Sequence, residues 1–179
     1  MTDAQELGRL LFFSEQFTNC NLCHQLHTSP IAEGETFSDY KYYNIGVPTN
    51  IAGRTHNGVP VEMVDHGLMG NRAVGDTAQD GKFRTPTLRN IAVTGPYMHN
   101  GVFTDLRTVI LFYNKYNSKA AARQINPETN ELWADPEVAE TLATKELTHG
   151  PALEDQRINA LVAFLETLTD ERYEDLLEE

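Results

Sequence analysis

Cys20-Asn21-Leu22-Cys23-His24 is the stretch on which the reading of this chain turns. Its pattern, C-x-x-C-H, is the attachment signature of a c-type haem. Two thiols at this spacing add to the two vinyl groups of one porphyrin, and the histidine that follows is held against the iron as proximal ligand. The chain has two cysteines in 179 residues, so none is left for a disulfide. A zinc site needs about four ligands, and no second paired cluster follows the first. A redox dithiol of the thioredoxin kind belongs beside a βαβ pattern, which the chain lacks. The expected cofactor is therefore one covalent haem c, with Cys20, Cys23 and His24 as its attachment residues.

Outward from the motif the pattern is helical. Asp3 to Phe13 reads as a helix with Leu7, Leu10 and Leu11 on one face, leading into the motif. Tyr40 to Val47 reads as a short extended segment lying on the cofactor. Gly53 to Gly81, rich in Gly, Asn and Asp, reads as a long loop, and such loops are often functional. Thr85 and Pro86 form a helix start, N-cap then first position, for a helix to about Val93. Thr104 is a further N-cap candidate, after which Leu106, Val109, Ile110, Tyr113 and Tyr116 fall on one helical face. Asn126 to Trp133 is polar and turn-like, with Trp133 read as a packing residue. Asp135-Pro136 opens a short helix to about Ala143. Glu154 to Leu168 is the clearest helix, with Ile158, Leu161, Val162, Leu165 and Leu168 on one stripe. The expected fold is all-α: a loop-rich, cytochrome c-like haem domain over residues 1–179, with short irregular extended segments.

A net charge of −12 argues against nucleic acid or an anionic membrane as partner. It suits an electron-transfer partner with a basic face, and equally a plain solubility charge. Six acids and one arginine from Asp170 onward read as a solvated helix end. No apolar run approaches the roughly 18 residues of a membrane span, and no leader pattern precedes the motif. Covalent haem attachment belongs outside the cytoplasm, so a periplasmic or otherwise extracytoplasmic location is expected. A mature or truncated product is expected with it.

The sixth iron position decides between reactivity and electron transfer. Met63, Met69, Met98, Tyr113 and the histidines are the candidates. Met98 sits in the tight loop Gly95 to Gly101, where its alternative role is core filling. Tyr113 is mid-helix, where packing is its alternative role. His27 lies one turn past Cys23, at the surface or the haem edge; His56, His66 and His149 lie in loops. Haem propionates need cationic partners, and Lys82, Arg84 and Arg89 flank the Thr85-Pro86 start in an otherwise acidic chain. Ordinary surface cations are the competing account of these three.

Taken together, Leu10-Leu11-Phe12-Phe13-Ser14, the C-x-x-C-H motif, Tyr43 to Val47, Phe83 to Asn90, Gly95 to Gly101, Phe112-Tyr113-Asn114 and Ala160 to Thr169 form a recognisable set. The chain resembles the C-terminal haem domain of the bacterial di-haem cytochrome c peroxidase family, especially its MauG-like branch. In the peroxidases proper, a methionine in the helix after the PY-x-H-x-G loop completes the iron. In the MauG-like branch a tyrosine takes that place. The resemblance therefore implies Tyr113 as distal ligand, with Met98 as the alternative. It also implies a calcium ion on the backbone oxygens of Thr94 and Pro96, completed by an asparagine of an N-terminal haem domain that this chain lacks.

Two functions follow from the resemblance. In the first, the domain relays electrons in a di-haem oxidoreductase that consumes hydrogen peroxide, its donor a small soluble cytochrome c or cupredoxin. In a MauG-like variant the direction inverts, and oxidising equivalents reach a protein substrate. A second haem domain or chain would then supply the peroxide-reacting haem. In the second, favoured by the single motif, the chain is a stand-alone monohaem electron carrier. A sensor role finds no signalling domain in the sequence.

Overall fold

The apolar pattern is densest in helix α5 (Asp155–Glu166), and the fold is arranged around it. In this computed structural model, which describes residues 1–26 and 34–177, Ile158, Ala160, Leu161, Phe164 and Leu165 of α5 are all buried. Burying a side chain of this kind is worth roughly 1.5–3 kcal/mol. Ala160 and Phe164 join the expected stripe, so α5 is apolar on more than one face.

Helix α1 (Asp3–Phe12) lies along one side of α5. Thr2 and Gln5 form a reciprocal capping box at its start, which satisfies two otherwise orphaned N–H groups. Gly8, Leu11 and Phe12 face α5, and Leu10, expected inward, is 55% exposed. The stripe is turned because the close approach falls on Gly8: a Cβ there would stand 1.9 Å from the Ala160 carbonyl oxygen. Leucine on that line would hold the helices apart.

Helix α3 (Leu106–Asn114) packs on another side of α5. Its N-cap is Asp105, not the expected Thr104: the Asp105 carboxylate accepts from the Arg107 N–H at 3.0 Å. Leu111 and Phe112 enter the core with Phe103, whose ring lies 5.2 Å from that of Phe112.

Between α1 and α3 the chain is mostly irregular. Helix α2 (Ile51–Asn57), capped by Asn50, stands where the long loop was expected to begin. Strands β1 (Tyr42–Tyr43) and β2 (Phe83–Arg84) pair antiparallel, Tyr42 opposite Arg84. The helix expected from Thr85 to Val93 is absent; only Ile91–Val93 forms a 3₁₀ turn. Thr85 does not cap because its backbone is used elsewhere. Its N–H donates to the Lys41 carbonyl at 2.9 Å and its carbonyl accepts from the Ser38 hydroxyl at 2.8 Å.

The polar stretch before Trp133 is a hairpin of strands β3 (Ile125–Asn126) and β4 (Glu131–Leu132). The helix expected from Asp135 to Ala143 is irregular chain, since Glu137 and Ala143 donate their N–H groups to the Val47 and Asn44 carbonyls. A single helical turn, α4 (Thr144–Leu147), follows it. The result is mostly helical and loop-rich, with two-stranded sheets of the smallest size. Among the described residues, no helix is long and apolar enough to cross a membrane.

Gly8→Ala tests the α1–α5 contact. Overpacking at this crossing is expected to cost about 1–3 kcal/mol, read as a lower urea midpoint; an unchanged midpoint would show that the helices part without penalty.

Candidate functional site

Helix α1 delivers the chain into a turn that folds the cysteine pair inward. The Thr18 hydroxyl donates to the Leu11 carbonyl at 2.6 Å, and Asn19 takes a left-handed φ of 57°. Cys20–Leu22 forms a 3₁₀ turn, and the His24 N–H donates to the Cys20 carbonyl at 3.0 Å. Cys20, Cys23 and His24 thereby line one cavity of about 450 Å³. Cofactor sites run to roughly 300–1,000 Å³. The walls are mainly apolar, among them Leu88, Ile91, Val109, Ile110, Leu161 and Leu165.

A polar strap, residues 37–43, holds the motif. The Phe37 carbonyl accepts from His24 Nδ1 at 3.0 Å, and the Asp39 N–H donates to the Cys23 carbonyl at 2.8 Å. A carbonyl only accepts, so this bond assigns the ring hydrogen to Nδ1 and leaves the Nε2 lone pair for a ligand. Burial lowers the His24 pKa, against the Phe37 bond, the Asp39 charge and the Pro86 backbone, and so favours the neutral imidazole. A metal requires that form. The Tyr43 hydroxyl donates to the Asp39 carboxylate at 2.8 Å. Ser38, fully buried, donates to Thr85 and accepts from the Tyr40 N–H at 3.0 Å. Burial, then the Asp39 charge, pushes the Cys23 thiol up to about 11; burial also raises Cys20.

The stripe read on α3 faces this cavity as well as the core: Leu106, Val109, Ile110 and Tyr113 line it. Tyr116 lies past the helix end, and its hydroxyl donates to the Ile45 carbonyl at 3.1 Å. Burial, then the charges of Cys23 and Cys20, raises the Tyr113 phenol far above its ordinary value. Such a phenol ionises only beside a cation. Asn114, the next residue, is buried and bidentate on Leu153: its amide donates to the Leu153 carbonyl at 3.0 Å and accepts from the Leu153 N–H at 2.8 Å.

The remaining expected residues divide. Met98 lines the same cavity, with a left-handed φ of 69°, as do Thr94, Pro96, His99 and His149. His99 stacks on Phe83, ring centroids 3.4 Å apart. Arg84 lines the cavity, its guanidinium 4.6 Å from the Tyr40 ring centroid. Arg89 is elsewhere, paired with Asp170, which also accepts from Asn90. Lys82 and the exposed Met63 stand away from the cavity, as does Met69. His66 pairs with Asp80 at 2.7 Å, and His56 is exposed. His27 lies outside the described residues. Trp133 packs on Phe103 and Phe112, each 5.7 Å away. Among the described residues, no three His, Cys, Asp or Glu side chains gather as a metal site.

The donor set fits a haem held by two thioethers and one imidazole: two thiols and a tautomer-fixed histidine on an apolar cavity, a buried phenol on the same cavity. The sequence reading missed Phe37, Ser38 and Asp39. Phe37 contributes a backbone oxygen, which carries no residue signature.

No protein-family profile matches the chain. Individual proteins do match it. The methylamine utilization protein MauG of Paracoccus denitrificans is 54% identical over 178 residues, covering 99% of this chain and 45% of that protein. The cytochrome-c peroxidase IdrP1 of Pseudomonas sp. (strain SCT) is 38% identical over 112 residues, 52% of this chain and 27% of its own length. The crystal structure of the diheme peroxidase BthA of Burkholderia thailandensis superposes with a TM-score of 0.70 at 31% identity, covering 97% of this chain and 44% of that one. The fold is thus that of a di-haem peroxidase haem domain. The chain belongs to the MauG/di-haem cytochrome c peroxidase family, and it spans less than half the length of these relatives.

Ser38→Ala removes a hydroxyl that satisfies two backbone groups around a fully buried side chain. A loss of about 1–3 kcal/mol is expected in urea unfolding; a neutral substitution would show that the strap is held by other contacts.

Proposed function

We propose that the chain binds one covalent haem c and relays electrons within a MauG/cytochrome c peroxidase-type oxidoreductase that uses hydrogen peroxide. The observation that carries this reading is the convergence of Cys20, Cys23, His24 and Tyr113 on one apolar cavity. When bound, the haem supplies reversible one-electron chemistry at its iron. Cys20 and Cys23 would hold its edge as thioethers, and His24, kept neutral and oriented through Phe37, would hold the iron. Tyr113 would approach as the distal ligand, its anionic oxygen favouring the higher oxidation states. Met98, on the same cavity, is the alternative.

Arg84 is the cation for a propionate, since Arg89 is engaged by Asp170. The Thr94 and Pro96 carbonyls would serve a calcium ion, an oxygen-seeking cation, completed by an asparagine of a second haem domain. That domain or a partner chain would carry the peroxide-reacting haem, which agrees with the share of its relatives that this chain spans. Covalent haem attachment suits a periplasmic setting, and the charge of −12 suits a small donor protein with a basic face, cytochrome c or cupredoxin. The single C-x-x-C-H motif supports a second reading, a one-domain monohaem carrier over residues 1–179.

Tyr113→Phe is expected to change the ferric absorption spectrum of the haem-loaded protein. No change there, with a change in Met98→Ala, would transfer the ligand role to Met98. Cys20→Ser and Cys23→Ser should each lose one thioether, seen in the pyridine haemochrome band. Peroxide added with a second haem domain present is expected to oxidise a reduced donor cytochrome; donor left fully reduced would leave the carrier reading.

A further inference from the structure

The hairpin before Trp133 holds the helix that carries Tyr113 by both of its ends. At the N-terminus of α3, the Glu128 carboxylate accepts from the Thr104 N–H and the Asp105 N–H, each at 3.0 Å, and from the Thr104 hydroxyl at 3.0 Å. Asp105 already caps the helix from within, so Glu128 is a second cap supplied from 23 residues away. A carboxylate here also meets the positive end of the helix dipole.

At the C-terminus, the Gln124 side-chain amide donates to the Lys115 carbonyl at 3.2 Å and to the Ser118 carbonyl at 2.7 Å. Lys115 is the C-cap, where a helix end leaves carbonyls without partners, and Ser118 lies in the turn that follows. Between the two ends, Trp133 lies against Phe112, the neighbour of Tyr113, and its indole N–H donates to the Arg123 carbonyl at 2.9 Å. Arg123 in turn pairs at 3.0 Å with Asp155, the first residue of α5. One short segment thus grips the helix at its start, its middle and its end, and ties that grip to the central helix.

Packing on one face cannot fix a helix along its own axis as firmly as bonds at both ends, because apolar contacts are non-directional. Tyr113 sits one residue from the C-terminus of α3, so its reach into the cavity depends on that axial position. We infer that residues 124–133 form a clasp that sets the position of α3, with Glu128 and Gln124 as positioning residues for the iron ligand on that helix. The inference rests on the proposed role of Tyr113, and neither residue touches the cavity itself.

The test uses the haem-loaded full chain and reads the ferric absorption spectrum and the midpoint potential. Glu128→Ala is expected to move the bands in the same sense as Tyr113→Phe, by less, with Glu128→Asp restoring part of the shift. Gln124→Ala is expected to act likewise from the other end, and Glu131→Gln on the same hairpin to leave the spectrum unchanged. A lower unfolding midpoint in Glu128→Ala with a wild-type spectrum and potential would overturn the inference and reduce the clasp to a stability element. Should Glu128→Ala not fold, Glu128→Gln, which keeps one acceptor oxygen, and Gln124→Ala give the same reading. A silent Tyr113→Phe beside a shifted Glu128→Ala would refute the tyrosine ligand and leave the clasp standing, acting on another cavity residue of α3.

Discussion

An apolar helix with more than one buried face is the constraint from which this structure follows. Ile158, Ala160, Leu161 and Phe164 of α5 are buried, and two helices share the covering of them. α1 covers one side and α3 another, and the cavity lies where their coverage leaves off. The Gly8 contact fixes how near α1 comes, and α1 leads directly to the cysteine pair. The location of the motif is therefore inherited from a helix crossing. The cavity sets an energetic scale. At about 24 cal/mol per Å³, filling about 450 Å³ with apolar matter is worth at most on the order of 10 kcal/mol. That matches the whole stability of a typical domain, about 5–15 kcal/mol. A cofactor bound here would be part of the core.

Around this apolar volume the polar contacts have a different task. The strap from Phe37 to Tyr43 touches the motif through backbone at two points, His24 and Cys23, and is itself pinned by Ser38 to Thr85. Each bond is individually modest, about 1 kcal/mol net. Their value lies in direction: they set which nitrogen of His24 bears hydrogen and where the other points.

What was legible in the sequence follows a physical divide. Apolar periodicity is local, so α1, α3 and α5 could be read, and a five-residue motif is local too, so Cys20, Cys23 and His24 could be expected to come together. The side on which a stripe finds its partner is not local. Leu10 looked inward, although the contact ran through Gly8; the α3 stripe was legible as one face, but not that this face divides between core and cavity. Thr85-Pro86 has the residues of a helix start, yet Lys41 and Ser38, more than forty positions earlier, claim Thr85 for an extended chain. Arg84 and Arg89 were equal on paper; Asp170, 81 residues on, separates them. Long-range hydrogen bonds and ion pairs decided every one of these cases except Leu10 and the α3 stripe, where packing decided.

Asn114 gives the arrangement a mechanical meaning. By bonding both the N–H and the carbonyl of Leu153, it treats a single residue of the approach to α5 as though it were the edge of a sheet. Together with the bonds of Glu128 and Gln124 at its two ends, this key leaves the helix little room to roll or slide. Tyr113, one position before the key, is left with only the torsions of its own side chain. Any exchange of the group facing the cavity at this position must then be a rotamer change, quick and small in amplitude, and the scaffold behind it stays fixed.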